Sequence, residues 1–278
     1  MEIEALVCSY VADLQRGEEE REVALLELSK AREKTPGIDG LALLLWHSYG
    51  IMTILVDEIT QNFPHIPRIS QRKTRRMVAA LGLLQCVASH PETKTVFVRS
   101  YIALLPMAIL RTAEDGNRME HVRLAALRVL GSMMTVADAS VIRFLRETEI
   151  IPLCLQIMQN GGTLAKTVAI FILHSYLSRE EGLYYVCGTA ERFYAVASAL
   201  ATMVETLVGV PSNRQLKLLI SCYLRLCDHP QARGVFELCF PAPLMSDPTL
   251  DQVAPSILNN LGDTSKRQLQ QIVSRLGF

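Results

Sequence analysis

The chain has 278 residues, half of them hydrophobic and only 6% aromatic, with 28 basic and 28 acidic residues that cancel. That length holds about six helical repeats of ~45 residues. A compact globule of the same size would tend to divide in two, but a stack of repeats need not. The zero net charge gives no argument for a polyanionic partner.

In chain order, residues 2–16 and 21–34 read as two helices broken at Gly17. The cluster Thr35-Pro36-Gly37-Ile38-Asp39-Gly40 is a turn. One long apolar helix is predicted over 41–61, ending before Phe63-Pro64-His65-Ile66-Pro67. After a basic run comes a strongly periodic helix. Its Met77, Ala80, Leu81, Leu84, Val87 and Ala88 share one face of a 3.6-residue period. The same pattern returns in Leu124, Leu127, Gly131 and Met134, in Leu164, Val168, Phe171 and Ile172, and in Leu216, Leu219, Ile220, Tyr223, Leu224 and Cys227. These are expected to be the innermost helices of successive repeats. Pro91, Pro152, Pro211 and Pro230 sit at helix ends, where a missing N–H costs little. Ser212-Asn-Arg-Gln215 and Ser265-Lys-Arg-Gln268 have the spacing of capping boxes, and Asn160-Gly161-Gly162-Thr163 ends one helix and starts the next. The segment 240–256 reads as a looser connection to a terminal helix over about 264–277.

One phrase is written twice. Cys86-Val-Ala-Ser-His90-Pro91-Glu-Thr-Lys-Thr-Val-Phe97 and Cys227-Asp-His229-Pro230-Gln-Ala-Arg-Gly-Val-Phe236 each end an apolar run at His-Pro, with a Phe six residues after the Pro. Weaker copies lie at Thr135-Val-Ala-Asp138 and Leu177-Ser-Arg-Glu180. Helix ends near 90, 137, 178 and 229 give steps of 47, 41 and 51 residues, the period of stacked armadillo or HEAT repeats. No alternating strand pattern flanked by turn residues appears. The expected fold is all-α: an armadillo-type helical repeat solenoid of about six repeats in a right-handed superhelix. It forms one domain over 1–278, with 17–240 as its core and 241–278 as a looser C-terminal cap. Such a stack is first of all a binding surface.

Candidate chemistry is sparse. The seven Cys, an odd number lying mostly in apolar runs, read as free buried thiols of a reducing compartment. The acidic N-terminus lacks the basic region of a signal peptide, and no apolar run approaches the ~18 residues of a membrane span. Cytoplasm or nucleus is the expected location, with no membrane partner. Cys222, Cys227 and His229 look like metal ligands, but the two Cys lie about 140° apart around one helix and cannot grip one ion. Cys86 and His90 share a face, yet His90 before Pro91 is a natural helix cap. No Cys-x2-Cys pair, Gly-rich phosphate loop, nucleophile elbow or paired-carboxylate motif is present. The chain is therefore read as non-catalytic, without metal or cofactor.

Trp46, the one Trp, reads as core packing. His47 and Tyr49 lie about 200° apart on a helix, so at least one faces outward, to solvent or to a partner. Val168 is either core or the lip of a groove. Arg68, Arg72, Lys73, Arg75 and Arg76 put five positive charges in nine residues without an acid. They form a solvated run or, alternatively, a contact for RNA or an acidic partner. No aromatic residue interleaves them to stack single-stranded bases. Arg214, second in a capped helix, sits beside N–H groups suited to a phosphate.

Several strings go further: Leu25-Leu-Glu-Leu-Ser-Lys30, Leu45-Trp-His-Ser-Tyr-Gly50, Leu83-Leu-Gln-Cys-Val-Ala-Ser-His-Pro-Glu-Thr93, Thr148-Glu-Ile-Ile-Pro-Leu-Cys-Leu-Gln-Ile-Met158, Lys166-Thr-Val-Ala-Ile-Phe-Ile-Leu173 and Cys222-Tyr-Leu-Arg-Leu226. Over about 20–240 the chain resembles the Rcd/Caf-forty family, the armadillo-repeat subunit of the CCR-NOT deadenylase complex. The resemblance implies an adaptor that docks on the NOT scaffold subunit and receives short peptides from mRNA-associated regulators. It thereby promotes deadenylation, translational repression and mRNA decay, in the cytoplasm with P-bodies and also the nucleus. It places scaffold docking at His47, Tyr49 and Thr53, with Thr53 replacing a smaller residue. The peptide groove falls at Pro152 and Val168, with Arg192 from the family's tryptophan pockets. Where those pockets usually have Tyr and Arg, this chain has Ala190 and Gln231, which puts capture of tryptophan-rich adaptors in question. Arg214 falls in a basic cleft proposed to touch single-stranded nucleic acid, the alternative function. Homodimerisation stays open.

Overall fold

A computed structural model of the protein describes residues 2–34, 40–63, 69–112, 117–135, 139–245 and 261–277. Outside them lie the turns expected at 35–39 and 64–67, Arg68, the weak repeat at 136–138 and most of the 240–256 connection. The described residues are helical, with no strand among them. They form two compact units, residues 1–144 and 145–278.

The first unit contains α1 (Glu2–Asp13), α2 (Glu18–Lys34), α3 (Leu41–His47), α4 (Ile51–Thr60), α5 (Gln71–Ser89), α6 (Pro91–Arg99), α7 (Leu104–Arg111) and α8 (Asn117–Met133). Helix α9 (Ala139–Glu147) runs across the boundary. The second unit contains α10 (Ile150–Asn160), α11 (Thr163–Leu177), α12 (Glu180–Cys187), α13 (Ala190–Gly209), α14 (Asn213–Leu226), α15 (Pro230–Cys239), a 3-10 turn over Ala242–Leu244 and α16 (Asp263–Leu276).

In chain order the helices recur in threes, and the third helices, α5, α8, α11 and α14, begin at residues 71, 117, 163 and 213. They are the centre of each unit. In the first, α5 packs on α2, α3, α4, α6 and α8. Ten of its residues are buried, including Met77, Leu81, Leu84 and Val87. In the second, α11 packs on α10, α12 and α14, and α14 on α16. Burying this many aliphatic side chains is the main stabilising term, at about 1.5–3 kcal/mol for each large one.

The repeated phrase ends helices as expected, and both its Phe residues, Phe97 and Phe236, are in the core. Its two histidines behave differently. His90 closes α5 with its own N–H on the Cys86 carbonyl and caps α6 with Nδ1, which accepts from the Glu92 N–H at 3.3 Å. His229 makes no side-chain cap. Its ring stands edge-on to Tyr184 at 5.8 Å instead.

Four expectations are corrected. The helix predicted over 41–61 is two helices, α3 and α4, bent by 88°. Ser48 is extended and Gly50 sits at φ 74°, a left-handed conformation that glycine adopts without strain. Helix α11 buries Ile172 as expected but not the rest of the predicted face. Leu164 is 67% exposed and Phe171 half-buried, while Ala169, Ile170, Leu173 and Tyr176 are buried. A helix apolar nearly all round leaves its buried face ambiguous. The Ser212 box is half formed. Ser212 Oγ accepts from the Gln215 N–H at 3.5 Å, but the buried Gln215 amide donates across to Thr163 O (2.9 Å) and Thr167 Oγ1 (2.8 Å) on α11. In the last helix Gly262 holds the cap position and Ser265 is buried within the first turn.

Among the described residues no single helix is long and apolar enough to cross a membrane.

Candidate functional site

Two surfaces stand out, one in each unit. The first is the α3–α4 corner. Trp46 is half-buried, and His47, Tyr49 and Thr53 are exposed, Tyr49 by 94%. Tyr49 is beyond the end of α3, so the opposed arrangement expected for one continuous helix does not hold; the corner turns both His47 and Tyr49 to the outside. Gln15 fixes the corner by donating from Nε2 to the Tyr49 carbonyl at 2.7 Å.

Thr53 and Val56, one turn apart on α4, continue this face towards α7. There Val56, Ser100, Tyr101, Ile102, Leu104, Leu105 and Ala108 line a shallow hollow of about 420 Å³. Tyr101 is 70% exposed and takes φ 61°, a conformation that costs a non-glycine residue roughly 1–2 kcal/mol. The sequence reading missed Tyr101 and Leu104. The signal available was the repeat itself, because Tyr101 occupies the corner between α6 and α7 as Tyr49 does between α3 and α4.

The second surface is a hollow of about 320 Å³ among α10, α12 and α13. Pro152 and Arg192 both line it, so the structure joins two residues 40 positions apart. Val168 is half-buried on α11 and is not among the lining residues. Tyr185 forms one wall. The Arg192 guanidinium lies over its ring, 4.2 Å from the centroid, and Nη1 donates to the Tyr185 carbonyl at 2.5 Å. Behind Tyr185 the buried Tyr176 ring meets it edge-on at 6.1 Å. Burial, with the neighbouring Tyr185, pushes the Tyr176 hydroxyl up to about 12. Ala190 and Gln231 are exposed and line neither hollow.

The basic run is changed by long-range pairing. Arg76 forks onto Glu58 of α4 (Nε–Oε2 2.9 Å, Nη2–Oε1 2.5 Å) and donates to Glu18 of α2 at 2.9 Å. Arg72 donates to Glu22 at 2.6 Å. The run has no acid in sequence, but the fold brings three to it, leaving Lys73 and Arg75 exposed. Arg214 is exposed in the first turn of α14.

Five of the cysteines are shielded by the fold, and Cys8 is exposed. Burial raises the Cys86, Cys187 and Cys227 thiols to about 11 and Cys154 to about 12, and pushes Cys222 up as well. Such thiols stay protonated and inert. Among the described residues no three His, Cys, Asp or Glu side chains converge as a metal site.

Tandem helix triplets with outward-facing aromatic corners and a small apolar hollow define a class, the armadillo-type helical repeat protein. Solved structures agree on the fold. A computationally designed armadillo repeat protein for modular peptide recognition superposes with a TM-score of 0.68 at 12% identity, covering 97% of this chain and 99% of that one. A designed armadillo repeat protein in complex with the peptide (KR)4 gives 0.64 at 13%, with the same coverage. The chain belongs to the Rcd1-like cell differentiation family, whose pattern it matches over residues 10–276. It is 47% identical over 251 residues to the cell differentiation protein rcd1 of Schizosaccharomyces pombe, covering 90% of this chain and 87% of that protein. It is 42% identical over 273 residues to the protein CAF40 of Saccharomyces cerevisiae, covering 97% and 70%.

Proposed function

We propose that the chain is a non-catalytic adaptor subunit of the CCR-NOT deadenylase complex, acting in the cytoplasm, including P-bodies, and in the nucleus. The α3–α4 corner docks on the NOT scaffold through His47, Tyr49 and Thr53. The hollow at Pro152 and Arg192 takes short peptides of mRNA-bound regulators, and Val168 is assigned to a peptide contact outside it. Tethering then raises the effective concentration of the deadenylase at the message, promoting deadenylation, translational repression and decay.

The observation that carries the docking reading is Tyr49. A large aromatic side chain, 94% exposed on a corner pinned by Gln15, is an anchor waiting to be buried, and such anchors contribute about 2 kcal/mol or more. A pinned corner also loses little conformational freedom on binding. The His47→Ala, Tyr49→Ala double variant is expected to keep its melting temperature, because both side chains are exposed, and to weaken scaffold binding about thirtyfold or more. Unchanged binding to purified scaffold removes the assignment.

A second reading, single-stranded nucleic acid at Arg214, draws on that exposed cation at the start of α14. The ion pairs of Arg72 and Arg76 take two cations of the basic run away from it.

A further inference from the structure

We propose that the hollow among α10, α12 and α13 selects acid-flanked apolar segments, one bulky apolar side chain entering it and a neighbouring carboxylate pairing with Arg192. This rests on the reading of the hollow as a peptide site and adds the chemistry of what it accepts.

The walls set the first half. Ile151, Pro152, Leu155, Val186, Ala195 and Val196 are apolar, and about 320 Å³ is at the lower end for ligand sites. That is ample room for one large apolar side chain. The rim sets the second half. Gln156, Gln159 and Ser198 are neutral, and Arg192 is the one charged residue lining the hollow.

Arg192 is positioned without being neutralised. Its guanidinium is stacked on Tyr185 and bonded to the Tyr185 carbonyl through Nη1. Tyr185 is in turn backed by the buried Tyr176. Among the described residues Arg192 has no carboxylate partner, whereas Arg72, Arg76, Arg225 and Arg275 all do. A planar cation held in place, with donors left over, beside an apolar cavity is complementary to a carboxylate next to an apolar side chain. Residues of the first turns of α10 and α13 also line the hollow.

The test uses fluorescence anisotropy with two labelled synthetic peptides, each carrying one central Phe, flanked on both sides by Glu in one and by Gln in the other. The full chain is expected to bind the Glu peptide about fivefold more tightly at about 50 mM salt, with the gap closing towards about 500 mM. In Arg192→Gln the gap disappears, the two peptides binding with equal affinity at both salt concentrations. Replacing the Phe by Ala abolishes binding of both. Equal affinities in the wild type, or a gap that survives Arg192→Gln, overturn the acid preference and leave the peptide site standing. Binding of neither peptide removes the peptide-site reading and this inference with it. The Arg192 cap bond to Thr189 is made by the backbone N–H, so Arg192→Gln keeps it, and a thermal melt verifies the fold.

Discussion

Replacing Gly182 with Ala destabilises the second unit by about 3 kcal/mol or more, lowering its melting midpoint by roughly 10 °C. A Cβ at this position would lie 2.0 Å from the Tyr176 carbonyl oxygen and 2.8 Å from its carbonyl carbon. These are backbone atoms at the end of α11, so no side-chain rotation relieves the overlap. The α11–α12 corner must open, and Tyr176, fully buried, moves with it. Tyr185, which rests on Tyr176 and carries Arg192, then loses its support. Stability and peptide binding should therefore fall together. Gly209→Ala is the control. It is also on a helix, but a Cβ there meets nothing within 4 Å, so its midpoint should change little. A Gly182→Ala protein that melts with the wild type would show that this corner is not the tight contact described.

Arg76→Ala is the second large loss, about 3–5 kcal/mol in the first unit by chemical denaturation. The side chains of Arg76 and Glu58 are only 12% and 7% exposed. The Glu58 hydrogen bond outweighs burial and holds the Arg76 guanidinium above its usual pKa. Removing the cation leaves Glu58 buried with its fork partner gone, and severs the tie among α2, α4 and α5. Much of the loss comes from the stranded carboxylate. An apolar pair, Glu58→Leu with Arg76→Met, should therefore recover most of the stability. If the double replacement is as unstable as Arg76→Ala alone, the stranded-charge account is wrong.

The sequence made helix ends legible wherever the local chemistry decides them. His90-Pro91 and His229-Pro230 stop and start helices because proline lacks an N–H and fixes φ. Ser212 caps because its hydroxyl reaches a free N–H nearby, whereas the caps made by Ser70 and Thr189 were not read from the sequence and the expected Ser265 cap is held by Gly262 instead. The repeat spacing gave the fold class. The α3–α4 break was not legible, because Gly50 is compatible with an interior helix position until its left-handed φ is seen. The buried face of α11 was not legible either, since Leu164 and Phe171 are as apolar as Ile170 and Leu173. At the sites, His47, Tyr49 and Thr53 were reached through resemblance and are exposed, with Tyr49 in a corner rather than on a helix. Pro152 and Arg192 meet in one hollow that Val168 does not line, and three separate segments build it. The partners of Arg72 and Arg76 lie 18 to 58 residues away, beyond any local pattern.

The adaptor account is tested most directly by purifying the tagged full chain from native extract under nuclease treatment and quantifying what comes with it. The account predicts that the NOT scaffold and the deadenylase subunits co-elute in near-equal amounts, unchanged by the nuclease. Elution without them, or recovery that nuclease abolishes, would contradict it and leave nucleic acid as the chain's primary ligand.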